Sequence, residues 1–160
     1  MPRTRPGGVR QEIRQTRPFV SPAQEATVAL LRTADVVRRH LTKVVQQEDI
    51  TLQQYNVLRI LRGAQGTPLS ALEIQDRLIE EAPGVSRLIE RLVAKGLVER
   101  ARASSDRRLL ECTISASGLQ LLARLDAAVD RADTELVQPL GDKRVASLIG
   151  LLAAIRRARP

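Results

Sequence analysis

At 160 residues, the chain is long enough for one domain with a real core, or for one domain plus a dimerisation annex. The net charge is +8 and the only aromatic residues are Phe19 and Tyr55, so the core must be built from Leu, Val, Ile and Ala, which suits helix-on-helix packing. A single histidine and a single cysteine, His40 and Cys112, exclude a disulfide within the chain and a four-ligand zinc site. The sequence shows no signal peptide, long apolar segment or lipidation motif, so no membrane role is expected, and the lone cysteine fits a reducing cytoplasm.

Residues 1–20 hold five Arg against one Glu, with three Pro and two Gly and few apolar residues. That composition argues against a packed element and reads as a basic flexible arm. From Pro22 to about Gln47, Leu30, Ala34, Val37, Leu41 and Val44 recur at alternating spacings of four and three. They form a seam suited to a partner helix, so residues 21–50 read as a dimerisation helix. Thr51 with Gln54 forms a capping box for a second helix that ends near Gly63, and Ser70 with Glu73 forms another for a helix reaching about Leu78. The glycines of GAQG at 63–66 are too few for a phosphate-binding loop and read as a turn between helices.

The segment PGVSRLIERLVAKGLVERARASSDRRLLECTIS, residues 83–115, is the most informative. Val85, Leu88, Ile89 and Leu92 fall at i, i+3, i+4 and i+7 and make one apolar face of a helix about four turns long, opened by Pro83 and stopped by Gly96. Arg87, Glu90, Arg91 and Ala94 lie opposite, with Gly84 and Ser86 at the flank. LVERARA and LLECTIS then read as two strands joined at a polar tip, Ser104 to Arg108. A lone hairpin is marginal in water, so this one is expected to lean on the helices before it. Arg suits both base edges in the major groove and a narrow minor groove, and Asp106 is placed to orient Arg108. A helix from Ala116 to about Thr134 and a last one from Asp142 to Arg157 complete the chain.

Residues 51–118 resemble the winged helix-turn-helix of the MarR family of bacterial transcription regulators. The pieces that carry the resemblance are TLQQYNVLRIL, LSALEIQDRL, PGVSRLIERLVAKGLVER and DRRLLECTISASG. The last contains the family's D-x-R wing signature as Asp106-Arg107-Arg108, and with the flanking helices the likeness extends over roughly residues 21–158. The implied fold is mainly α with a small β-wing: a winged helix-turn-helix at 51–115 between N- and C-terminal dimerisation helices, the latter at 116–160. The implied function is regulation of transcription by a homodimer on double-stranded DNA, with Gly84, Ser86, Arg87, Arg91, Asp106, Arg107 and Arg108 as the DNA-binding residues.

Charge supports a polyanion partner independently. Residues 83–108 hold seven basic against three acidic groups, so this segment and the arm carry the positive excess. A dimer in which the first and last helices interlock buries their apolar stripes and sets two recognition helices about 34 Å apart, one DNA turn, for a palindromic operator. Such a dimer reads as a repressor.

No convergent set of His, Cys and carboxylates supports an enzyme, and neither a cofactor nor a metal is expected. The family's oxidant sensors carry cysteine near the start of the first helix, where this chain has none; Cys112 reads as a small buried hydrophobe. Family members are commonly released by a small aromatic anion, and the candidates in this chain are His40, Tyr55 and Arg59. The plainer readings, a core aromatic and a solvated charge, weigh more heavily. The alternative function is a winged-helix module that engages an acidic protein partner.

Overall fold

A computed structural model describes residues 8–80, 84–102 and 110–158, and the chain divides into two compact units, residues 1–40 and 41–160. Within the first unit, Val9–Glu12 forms one helical turn, α1, with no buried residue. Arg10 closes the chain after it, its guanidinium donating to the carbonyls of Gln15 and Thr16. Ser21 and Gln24 then start α2, Pro22–Val45: the Gln24 amide donates to Ser21 Oγ, and the Val20 amide donates to Gln24 Oε1. That exchange satisfies backbone donors that a helix start otherwise leaves open.

The second unit takes up the end of α2 and a 3₁₀ turn at Gln46–Glu48. Next come α3 (Leu52–Gly63), β1 (Leu69–Ser70), α4 (Ala71–Asp76), α5 (Val85–Ala94), β2 (Val98–Arg102) and β3 (Leu110–Ile114). The chain finishes with α6 (Ala116–Val137), a 3₁₀ turn and α7 (Asp142–Arg157). Both capping boxes form: Thr51 and Ser70 each accept from the backbone of the residue three further on, and Gln54 and Glu73 reach back. Val45, Val57, Leu58, Leu61, Ile74, Ile89, Leu92 and Leu122 are the buried centre of one core that joins α2's end, α3, α4, α5 and α6. The result is the mainly helical fold with a small β-wing that the sequence leads one to expect.

Residues 8–20, expected as part of a flexible arm, carry the helical turn α1 and internal hydrogen bonds from Arg10 and Gln15, and three further features depart from expectation. The strands make a three-stranded antiparallel sheet, ordered β1-β3-β2, rather than a lone hairpin, because Leu69 pairs with Cys112 and Ser70 with Glu111. β3 is therefore a central strand, paired on both sides and anchored to the start of α4, so the wing does not depend on helix contacts alone. Next, α5 is ten residues, about three turns rather than four, because Gly84 adopts φ 85°, a left-handed conformation that cannot continue a helix; Pro83 lies outside the described residues. Finally, α4 stops at Asp76 instead of Leu78, and α6 runs on to Val137 past the expected end at Thr134.

Candidate nucleic-acid interface

The apolar stripe of α5 decides which way its arginines face. Val85, Ile89 and Leu92 are buried and Leu88 packs against them, so Ser86, Arg87, Glu90 and Arg91 are left exposed on the other side. The C-terminus of α5 is fixed by Gly96 at φ 69°, with the Leu97 amide donating to the Leu92 carbonyl at 2.9 Å. Lys95, in the same turn, bonds both the carbonyl and the carboxylate of Asp49, the latter at 2.7 Å. Both ends of α5 are thus positioned by backbone constraints and one ion pair, and the middle presents its cations outward.

Arg87 and Arg91 border a single open cleft of about 340 Å³ with Gly84, Leu88 and Gln53 of α3. Two guanidinium groups one helical turn apart, at the edge of an exposed helix, can donate to paired acceptors such as guanine O6 and N7. Gln53 extends the donor and acceptor set, and sequence reasoning alone misses it. The available signal is its place two residues after the Thr51 cap, exposed on the first turn of α3. A second cleft, of about 460 Å³, lies between α4, α5 and the sheet; Ser86, Leu72, Arg100, Leu110 and Cys112 are among its lining residues.

The wing strands supply further cations. Arg100 and Arg102 are exposed on β2, paired with Cys112 and Leu110 respectively. Asp106, Arg107 and Arg108 lie outside the described residues, between the ends of β2 and β3. Cys112 is buried, and burial pushes its thiol above the ordinary range.

The expected effector residues fall elsewhere. His40 is half-buried on α2. Tyr55 is part of the core, 6% exposed, and burial raises its hydroxyl above the usual tyrosine value. Arg59 sits over the Tyr55 ring, 5.9 Å from its centroid, on one face of α3. Neither Tyr55 nor Arg59 lines either cleft. Among the described residues no group of three or more His, Cys, Asp or Glu could hold a metal ion, and no helix is long and apolar enough to cross a membrane.

A helix with outward arginines, preceded by a short helix and followed by an antiparallel wing, defines a winged helix-turn-helix. Comparison with known proteins specifies it further. Residues 48–109 match the MarR family. A MarR transcription factor from Planctomyces limnophilus is 34% identical, over 86% of this chain and 99% of that one, with a TM-score of 0.66. The transcriptional regulator FarR of Neisseria gonorrhoeae is 23% identical over 88% of this chain and 94% of its own length. A mutant MarR from E. coli complexed with operator DNA is 26% identical, over 79% of this chain and 89% of that one, with a TM-score of 0.72. The chain belongs to the MarR family, whose members are transcription regulators and not enzymes.

Proposed function

We propose that the protein is a homodimeric, sequence-specific DNA-binding repressor that places α5 in the major groove of a palindromic operator, with its wing in the adjacent minor groove. The observation that carries this reading is the exposed face of α5, where Arg87 and Arg91 border one open cleft while the opposite face is locked into the core. The E. coli relative complexed with operator DNA supports the choice of duplex DNA as partner. In this reading Arg87 and Arg91 contact base edges, Ser86 and the backbone at Gly84 meet phosphate, and Asp106, Arg107 and Arg108 serve the wing. Binding of chromosomal DNA places the protein in the cytoplasm.

The dimer would be built from α2, α6 and α7. On α7, Ile149, Leu151 and Ile155 are all more than half exposed, as is Leu31 on α2. Exposed apolar side chains on α7, and on α2 taken by itself, mark surfaces for a second copy to cover. Repression follows from geometry: a dimer spanning one DNA turn occupies a promoter. For release by an effector, the same reading gives Arg59 the role of cationic partner to an aromatic carboxylate beside Tyr55. Operator affinity that no aromatic carboxylate alters would remove that role.

Selection of bound fragments from random duplexes tests the core of the proposal. The wild type should enrich an inverted repeat, and Arg87→Ala should weaken binding by about 1–3 kcal/mol while relaxing the preference at one position in each half-site. An unchanged preference in Arg87→Ala would remove Arg87 from the base-reading set.

A further inference from the structure

The N-terminal unit carries more charge than its size warrants. Residues 1–40 contain eight Arg against three acidic residues, which is +5 of the chain's +8. Among the described residues the structure sorts six of these cations into two kinds, Arg38, 3.9 Å from Asp35, belonging with the first. Arg10 donates to the Gln15 and Thr16 carbonyls, Arg32 pairs with Glu12 and Asp35, and Arg39 lies 2.8 Å from Asp35. These hold the unit together. Arg14 and Arg17 are different: both are exposed, and neither has an acidic partner among the described residues.

The segment that carries them is held in shape. Arg14 adopts φ 53°, turning the chain directly after α1. The Arg10 bonds close that turn, the Gln15 side chain donates to the Arg17 carbonyl at 2.9 Å, and the Ser21–Gln24 cap joins the segment to α2. Two guanidinium groups are therefore displayed on a hook already ordered by internal bonds, so less chain entropy is lost when they engage a partner. Phe19 is the one aromatic in the unit, too few for the stacking platform that single strands require. The chemistry present, guanidinium groups without stacking rings, fits the evenly spaced phosphates of a duplex.

We propose that this hook, through Arg14 and Arg17, is a second DNA-binding surface that contacts duplex phosphates and reads no bases. The inference rests on the reading of the protein as a duplex-DNA binder. It adds an anchoring surface distinct from α5 and the wing, which holds the protein to DNA of any sequence.

The test uses the full chain and two double variants, R14Q/R17Q and R14K/R17K. Affinity is measured against salt concentration on the selected operator and on a scrambled duplex. The slope of log K against log salt should fall by roughly 0.9 for every phosphate that the hook no longer neutralises. R14Q/R17Q should show that drop equally on both duplexes, with the ratio of operator to scrambled affinity unchanged. R14K/R17K should keep the wild-type slope, because counterion release depends on charge. An unchanged slope in R14Q/R17Q overturns the proposal, as does a drop that lysine does not restore. Binding to phosphatidylserine vesicles that responds to R14Q/R17Q while duplex binding does not would make the hook a membrane surface and equally overturn it. A wild type without operator preference would refute the base-reading role of α5 and leave the slope comparison on the scrambled duplex to decide the hook.

Discussion

Gly118, one turn into α6, has no room for a side chain. An added Cβ would come within 2.3 Å of the Leu97 carbonyl oxygen and 2.8 Å of Ile114 Cγ1. Around it Ser115 works in both directions: its hydroxyl donates to the Gly96 carbonyl at 2.7 Å and accepts from the Gly118 amide at 3.0 Å. This junction joins the end of α5 to the start of α6, so the stop of α5 and the exit from β3 share one set of bonds. Gly118→Ala must push the new methyl against backbone and should cost about 3 kcal/mol, at the upper end of overpacking effects, read as a lower urea midpoint. A midpoint equal to wild type would mean that α6 starts further from Leu97. Nothing in the sequence pattern marks this glycine, because its constraint comes from a carbonyl 21 positions away on another element. Cys112 is easier to read: one cysteine in an apolar strand is a core residue by default, and it is 2% exposed. Since burial holds its thiol in the neutral form, alkylation of the native protein below pH 9 should be slow and should accelerate only with unfolding. Rapid native labelling would contradict that environment.

At the level of elements, what can be read locally is what the chain forms locally. Both capping boxes, the bounds of α7 and the stop at Gly96 depend on residues within a few positions of each other, and all are formed. β1 is invisible in the sequence because two residues carry no periodicity; only its pairing with β3 makes it a strand. The start of α5 is deceptive for another reason: a proline suits a helix start, whereas the left-handed Gly84 is the true boundary. Long-range ion pairs leave no local signal either. Arg124 grips Glu48 with three bonds of 2.7–3.1 Å across 76 positions, Arg62 meets Asp126 in a bidentate pair, and Lys95 holds Asp49. The hydrogen bonds from Arg124 and from Lys95 hold the Glu48 and Asp49 carboxyls below their ordinary values. A carboxyl depressed on folding contributes stability that is fully present above its unfolded pKa and is lost as pH falls through the folded one. Both groups are solvent-facing, so the contribution is modest and salt-sensitive. In Lys95→Met/Arg124→Met, stability should fall less steeply with acid below about pH 4.5, where unfolded carboxyls begin to protonate. A pH profile parallel to wild type would mean that neither pair depresses its carboxyl on folding.

At the scale of the whole molecule, the proposed assembly is two recognition helices held at a fixed spacing by a dimer. The apolar residues left exposed on α7 are the feature of one copy that most needs a second copy to explain it. Leu151→Glu/Ile155→Glu should therefore shift the protein from dimer to monomer by sedimentation, with helical content retained, and operator affinity should collapse with it. A monomeric wild type would contradict this arrangement. The seam on α2 and the stripe on α7 are legible as periodicity, but a stripe does not name its partner, and the core of the second unit leaves α7 without a buried residue. Hydroxyl-radical footprinting of the wild-type protein on its selected duplex tests the paired recognition helices most directly. Two symmetry-related protected patches should appear on one face of the DNA, their centres about 34 Å or one helical turn apart, and they should fade together in Arg87→Ala/Arg91→Ala. A single patch, protection spread evenly along the duplex, or patches that survive loss of both arginines would contradict the dimeric reading of the operator.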